Sequence, residues 1–369
     1  MNEAKYSTLF KALKGDILSG KYASGKLLPS ENALVRRFGI SRSTVQQALR
    51  ELEKLGFISR SCGRGTFVTK AGACRQIGLI IPGLTYSELY PPLASDLSHI
   101  CRANGYTLLL GDVDSPDAGV RAKQALDIVD SFVRQGVSGV IFQPIEFLET
   151  SEDVNERILG VLDAARIPVV QLAYDSALSR NRCRHDVVGI NNFEAGRMLG
   201  EHLVGIGAKN VHFVLRPRWS PSGAARLHGV AAALADAGNC AWLRRNVLRA
   251  DPDDAKAVRT YLRTHPRADA FVCGCDEDAM LLQRTLGRLG WRVPEDVLLA
   301  GFDDIRFATM MTPALTTVRQ PHAQIAAMAF GTLLDRMRDP DLPAREIYVS
   351  ADLVERASTV RMKGRGKSR

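Results

Sequence analysis

Hydrophobic positions along the chain change rhythm once, near residue 70. Before that point, Tyr6, Leu9, Phe10, Leu13, Ile17 and Leu18 recur at helical spacing, and Gly20 stops the run. Ser30 is placed to cap a second helix reaching Phe38, with Glu31 near its positive end. Gly39-Ile40 makes a tight turn, and Ser41 opens a third helix whose Val45, Ala48, Leu49 and Leu52 share one face before Gly56 ends it. Phe57–Arg60 and Thr66–Thr69 then alternate as two short strands joined by Ser-Cys-Gly-Arg-Gly. Three helices and a hairpin predict a winged helix-turn-helix.

After residue 76, apolar runs of strand length alternate with amphipathic runs of helix length. The strands are expected at Ile77–Ile81, Tyr106–Gly111, Gly139–Gln143 and Pro168–Leu172, with helices at Leu93–Asn104, Gly119–Gln135 and Val154–Ala165 between them. The pattern restarts with Asp186–Ile190, Phe193–Ile206, Asn210–Leu215, Ala224–Ala237 and Ala241–Val247, and continues through a helix at Pro252–Thr264, strands at Ala270–Cys273 and Val297–Gly301, and a helix between them ending at Leu289. Such alternation predicts parallel sheets flanked by helices, and the restart predicts two lobes. The fold class is therefore α/β: an N-terminal winged helix-turn-helix (1–70), a linker (71–76), a two-lobed domain (77–360) and a basic disordered tail (361–369). The chain is expected to cross between lobes near 174–176, 319–322 and 340–350. In such sheets ligands bind beyond the carboxyl ends of the strands, so a cleft between lobes is expected.

Charge sharpens this picture. The chain of 369 residues carries a net +9, but residues 1–75 alone carry +9, residues 76–360 carry −5, and the last nine carry +5. A basic head on an acidic body points to a polyanion for the head alone. No stretch approaches a membrane span, and the N-terminus lacks a signal-peptide pattern. Seven scattered cysteines argue against a disulfide framework and for a reducing cytoplasm.

The first turns of the third helix carry Ser41, Arg42, Ser43, Thr44, Gln46 and Gln47, where a helix-turn-helix meets base edges. Arginine pairs with guanine, glutamine with adenine, and hydroxyls with phosphates or bases. Ser41 either caps the helix or meets DNA, and Thr44 either packs or meets DNA. Arg42 has no obvious acidic partner nearby in sequence. In the wing, Gly63, Arg64, Gly65 and Thr66 let backbone approach a groove, with Arg64 aimed at a phosphate or the minor groove. Phosphate-binding glycine loops, nucleophile elbows and zinc-protease motifs are absent. Cys273-Gly-Cys275 has no further metal-ligand pair close by. The text therefore implies no enzyme, no metal and no cofactor.

The head motifs, Leu28-Pro29-Ser30-Glu31, Ser41-Arg42-Ser43-Thr44-Val45 and Gly63-Arg64-Gly65-Thr66-Phe67-Val68, closely resemble the GntR-family DNA-binding domain. The resemblance implies base and phosphate contacts from Arg42, Thr44 and the Gly63–Thr66 wing. Two positions depart from it: Asn32 and Gln46 stand where the family commonly has arginine, so the operator is expected to differ from the commonest family sequence. Body motifs Ile77–Pro82, Gly136–Ile141, Ile167–Val170, Asn192–Arg197, Arg226–Gly229, Val293–Val297, Gly301–Asp304, Pro313–Pro321 and Leu353–Thr359 resemble the LacI-type, periplasmic-binding-protein-like effector domain. The combination is similar to the AraR group of sugar-responsive repressors.

That resemblance implies a double-stranded operator of approximately palindromic sequence, a homodimer and a small effector, a sugar, held between the lobes. It places Arg226 and Asp303 in the effector cleft, with Gln320 nearby. Asp276 follows a strand, where it either binds ligand or caps the next helix. Cys275 stands where the family often has asparagine. Tyr86, Tyr174, Asp175 and Trp219 lie in loops after strands, and Trp219 either stacks on a sugar face or is simply buried. The expected outcome is repression relieved by sugar; co-repression or activation by a purine or another metabolite is the alternative.

Overall fold

The computed structural model describes residues 2–18, 21–23, 25–54, 56–61, 64–68, 75–84, 87–115, 117–146, 150–174, 184–239, 242 and 245–360. Gly63, Tyr86, Asp175 and the tail expected at 361–369 lie outside them. The residues group into two compact units, one of 1–77 with 99–109 and the other of 78–98 with 110–369.

In the head, α1 (Asn2–Leu18), α2 (Glu31–Phe38) and α3 (Arg42–Lys54) precede β1 (Ile58–Ser61) and β2 (Gly65–Val68), which pair antiparallel. The apolar stripes meet in one core of Leu9, Leu13, Ile17, Leu34, Val45, Ala48, Leu49 and Leu52, closed by Leu28, Ile58 and Val68. Ser30 Oγ accepts from the Ala33 amide, and Gly39 ends α2 in the left-handed conformation. The segment after α1 does more than turn. Gly25 and Leu28 donate backbone N–H groups to Val68 and Thr66, adding a short third rung beside β2.

The body begins with β3 (Arg75–Pro82), α4 (Tyr90–Ala103), β4 (Tyr106–Val113), α5 (Ala118–Gln135), β5 (Gly139–Phe142), α6 (Ser151–Ala164), β6 (Val169–Leu172) and β7 (Asp186–Ile190). It continues through α7 (Asn192–Gly205), β8 (Val211–Leu215), α8 (Pro221–Asp236), β9 (Val247–Arg249), α9 (Ala255–Thr264), β10 (Ala270–Cys273) and α10 (Asp276–Arg288). It closes with β11 (Leu298–Asp303), α11 (Arg306–Met310), β12 (Thr316–Arg319), α12 (His322–Arg338), β13 (Glu346–Val349) and β14 (Asp352–Val354). One six-stranded sheet has the order β13-β7-β6-β5-β3-β4 and the other β14-β12-β11-β10-β8-β9. The second is parallel except at β14.

Two expectations need correction. Asp186–Ile190 does not restart the pattern in a new lobe: β7 lies parallel to β6 in the first sheet. The cause is Asp186, fully buried, which accepts from Arg336 on α12 and from the backbone and side chain of Arg345 just before β13. Those partners belong to the first lobe and hold β7 there. The first crossing thus falls at Asn191, not near 174–176; the later ones fall at Gln320–Pro321 and between Val349 and Asp352. The second correction is β9, which begins at Val247, where the expected Ala241–Val247 strand ends. Trp242 is buried with its indole N–H on the Val211 carbonyl, and Arg245 and Asn246 donate back to Trp242, so the chain turns before it extends.

Two glycines set the site from a distance. A Cβ on Gly229 of α8 would stand 1.9 Å from the Phe193 carbonyl oxygen, and one on Gly196 of α7 would stand 2.1 Å from that of Arg226. The two helices therefore cross backbone to backbone, which carries Arg226 against Asn192 at the start of α7.

Candidate functional site

On the head, α3 turns its apolar face inward and leaves Ser41, Arg42, Ser43 and Gln47 exposed, with Gln46 half-buried. Ser41 and Thr44 both take structural roles in the free head. Ser41 Oγ accepts from the Thr44 amide at 3.3 Å and shares hydrogen bonds with the Thr44 hydroxyl at 2.7 Å and the Ser43 hydroxyl at 2.9 Å. Thr44 is only 4% exposed. Ser41 is thus the cap of α3, and Thr44 packs beneath it. Arg42 does have an acidic partner: its Nε donates to Glu31 at 3.2 Å, an aspect hidden in sequence because the two residues sit on different helices. Gln46 donates to the same Glu31 oxygen at 3.1 Å, and Arg60 of β1 pairs with the other.

Glu31 therefore gathers three donors on the edge that would face DNA. Partial burial alone would raise its carboxyl pKa, but the bonds from Gln46 and Arg42 and the Arg60 charge outweigh that and hold it below the usual range. In the wing, Arg64 and Gly65 are exposed, Gly65 has φ +107°, and Thr66 is half-buried.

In the body, side chains from both sheets line one cavity of about 670 Å³ at the carboxyl ends of the strands. Arg226 and Asp303 meet on its wall, 6% and 5% exposed. Arg226 donates through Nε to Asn192 at 2.8 Å and through Nη1 to the Gly274 carbonyl at 2.7 Å, and pairs through Nη2 with Asp303 at 3.1 Å. Its guanidinium lies 4.9 Å over the Phe302 ring. Asp303, at φ +110°, takes a second bond on the same oxygen, from Gln320 Nε2 at 2.7 Å. Its other oxygen has no hydrogen bond among the described residues.

Trp219 lines the cavity and is 47% exposed, so simple burial does not explain it; the Arg249 guanidinium lies 4.7 Å over its ring. Cys275 also lines the cavity and stands at the start of α10 without making a side-chain cap. Burial, then the nearby Asp278, pushes its thiol pKa well up, so it is a neutral wall. Asp276 is a correction. It does not line the cavity: its oxygens accept from the Thr317 hydroxyl at 2.6 Å and the Ile305 amide at 3.1 Å, tying α10 to the ends of β11 and β12.

Several cavity residues escaped sequence reasoning as site members, Arg216, Glu146 and Arg121 among them. Arg216 pairs with Asp278 at 2.7 Å. Glu146, facing Arg226 and Asp303, has its pKa raised to about 7 by burial, against the hydrogen bond from Tyr174 that lowers it. Arg121 reaches in from the first turn of α5. Arg216 and Glu146 follow strands, and that position was the available signal; Arg121 sits on a helix and offered none. Among the described residues no cluster of His, Cys, Asp and Glu could hold a metal ion, and no helix is long and apolar enough to cross a membrane.

Residues 5–68 match the family model for bacterial regulatory proteins of the gntR family, and residues 201–359 match that for a periplasmic binding protein-like domain. The chain is 26% identical over 375 residues to the arabinose metabolism transcriptional repressor of Geobacillus stearothermophilus, covering 96% of this chain and 97% of that one. It is 30% identical over 295 residues to the HTH-type transcriptional repressor PurR of Photorhabdus laumondii, covering 79% and 82%. Among solved structures, the transcription regulator GntR from Chromobacterium violaceum is 26% identical with a TM-score of 0.61, over 77% of this chain and 99% of that one. The regulator CcpA of Lactococcus lactis shares the fold, with a TM-score of 0.65 at 20% identity over 77% and 99%.

Proposed function

The chain belongs to the HTH-type transcriptional repressors, with a gntR-family head and a periplasmic-binding-protein-like body, and from that premise we propose that it releases its operator when a small sugar fills the cavity between its lobes. It is a DNA-binding repressor with a small-molecule effector. The observation that carries the finer reading is the convergence of Arg226, Asp303 and Gln320 on a cavity walled by both sheets. Asp303 keeps one oxygen for a hydroxyl, and the exposed Trp219 ring offers an apolar face, the pair of features a sugar ring needs. Arg42, Ser43, Gln46 and Gln47, with Arg64 from the wing, would make the DNA contacts. Glu31 would release Arg42 and Gln46 to the bases.

Two lobes and one ligand give the mechanism. A sugar that bridges the lobes favours the closed pair, and it alters DNA affinity only if the two shapes bind DNA unequally. Operator reading by a homodimer would require an approximately palindromic site. Similarity to the arabinose metabolism repressor over nearly the whole chain supports a sugar as the effector class.

The test is fluorescence anisotropy of the full chain on its own upstream DNA, with a panel of pentoses, hexoses and purines. Release by a sugar is the expected result. Tighter binding with a purine would establish co-repression instead.

A further inference from the structure

Among the described residues, the cavity's arginines have partners on one lobe and none on the other. On the second lobe, Arg226 is held by Asp303, and Arg216 by Asp278 at 2.7 Å and Asp251 at 3.5 Å. Arg218, also on the wall, makes contacts of its own. Glu277 lines the same side and accepts from the Glu88 amide at 3.4 Å. On the first lobe stands Arg121, whose Nε is buried without a hydrogen-bond partner. No ion pair of Arg121 occurs among the described residues. The first-lobe carboxyl on the wall, Glu146, is engaged by Tyr174 and faces Arg226 rather than Arg121.

An arginine nitrogen sheltered from water with nothing to bond costs free energy, and more where charge is involved. A neutral sugar would return only part of that. A carboxylate or phosphate meets the planar fork with two parallel bonds and balances its charge. The cavity, about 670 Å³, has room for a monosaccharide together with such a substituent.

We propose that the effector is a hydroxylated compound bearing an anionic group, a sugar acid or a sugar phosphate, and that Arg121 anchors that group while Asp303 and Gln320 take its hydroxyls. This rests on the sugar-release reading above and narrows it. Arg121 thereby becomes the first-lobe half of the bridge, and Arg226 and Asp303 the second-lobe half.

The experiment titrates the full chain on its operator with four sets of compounds: neutral pentoses and hexoses, the matching aldonic and uronic acids, the matching phosphate esters, and inorganic phosphate alone. One anionic set is expected to release the DNA where its neutral parent does not, and the set that acts distinguishes carboxylate from phosphate. Arg121→Gln should raise the concentration for half-release by at least about 10-fold, the loss of one charge-assisted interaction. Arg121→Lys, which keeps the charge without the fork, should recover part of it and stands in if the glutamine variant does not fold. Release by a neutral sugar, shifted less than about 2-fold by Arg121→Gln, would overturn the anionic proposal and leave sugar release standing. Silence of every sugar-derived compound, or release by inorganic phosphate alone, would overturn both.

Discussion

At the scale of single residues, the two sites differ in what substitution removes. Arg42 is exposed and, among the described residues, tied only to Glu31, so Arg42→Ala leaves the head core untouched and takes away the fork proposed to read bases. Specific operator affinity should fall by about 1–3 kcal/mol, roughly 5–150-fold, with random DNA affected far less. Anisotropy on operator and scrambled duplexes separates the two, and an unchanged ratio would remove Arg42 from base reading. Asp303 is the opposite case. Truncation to alanine strands the buried Arg226 charge, at a cost of about 3–5 kcal/mol, and places alanine at φ +110°. Asp303→Asn keeps the shape and tolerates that backbone, so it is the cleaner probe. Effector-driven release should need at least about 10-fold more ligand, and retained response would take Asp303 out of the site. Glu146 gives a pH signature. Its carboxyl titrates near 4.5 when unfolded but at about 7 here because burial disfavours its charge. Between those values the folded chain holds a proton that the unfolded chain has lost. Its contribution therefore favours folding at the acid end and is lost as pH rises through about 7, with a slope of at most about 1.4 kcal/mol per pH unit. Melting temperatures of the parent and Glu146→Gln should diverge with rising pH in favour of the variant; parallel curves would contradict the shift.

At the scale of elements, the α7–α8 crossing is the feature on which the cavity depends. Gly229→Ala puts a methyl into the Phe193 carbonyl, which neither backbone can vacate without separating the helices. A loss of about 1–3 kcal/mol or more is expected, visible as a lower denaturation midpoint. Weakened effector response should accompany it, since Arg226 moves with α8. Gly238→Ala, in a turn with open space but φ +91°, should cost only backbone strain and keep the response. Both crossing glycines lie inside text that was legible as family motif, yet the reason for them was not, because periodicity sees one helix at a time. The same limit holds elsewhere in the chain. The head was readable almost residue by residue, since its stripes, caps and turns are local, and Leu9 through Leu52 meet as their spacing implies. The misplacement of β7 came from Asp186, whose partners Arg336 and Arg345 lie 150 and 159 residues away. Asp276 follows a strand, where ligand or cap were both open, and only the fold shows its oxygens accepting from Thr317 and Ile305. The closing Arg356-Ala357-Ser358-Thr359 proves to be a clasp on the second sheet, Ser358 donating to Leu299 and Arg356 pairing with Asp304, both at 2.6 Å. Side chains acting across such distances leave no period in the sequence.

At the scale of the whole molecule, a repressor of this kind is two binding equilibria sharing one chain. The head carries the basic excess and the cavity lies in the mildly acidic body; if DNA and effector take these separate surfaces, their influence on each other is a difference in conformational free energy. A coupling of about 1–3 kcal/mol is typical, corresponding to a 5–150-fold change in operator affinity when the cavity is filled. Linkage then fixes a second quantity: operator DNA must weaken effector binding by that same factor, whatever the path between the sites. Calorimetric titration of the active compound into the free protein and into the operator complex, at one salt concentration, measures the second factor. Anisotropy with and without saturating compound measures the first. Equal factors are expected. A compound that binds the free protein and not the operator complex at all would be competing at the DNA-binding edge around Glu31, Arg42 and Gln46 instead of acting through the cavity. Glu146→Gln should change effector affinity in both forms together and leave the ratio near its original value, because Glu146 lines the cavity and takes no part in the head. Arg42→Ala should likewise weaken operator affinity with and without effector by similar factors, so that only a change in the ratio would place either residue on the route between the two sites.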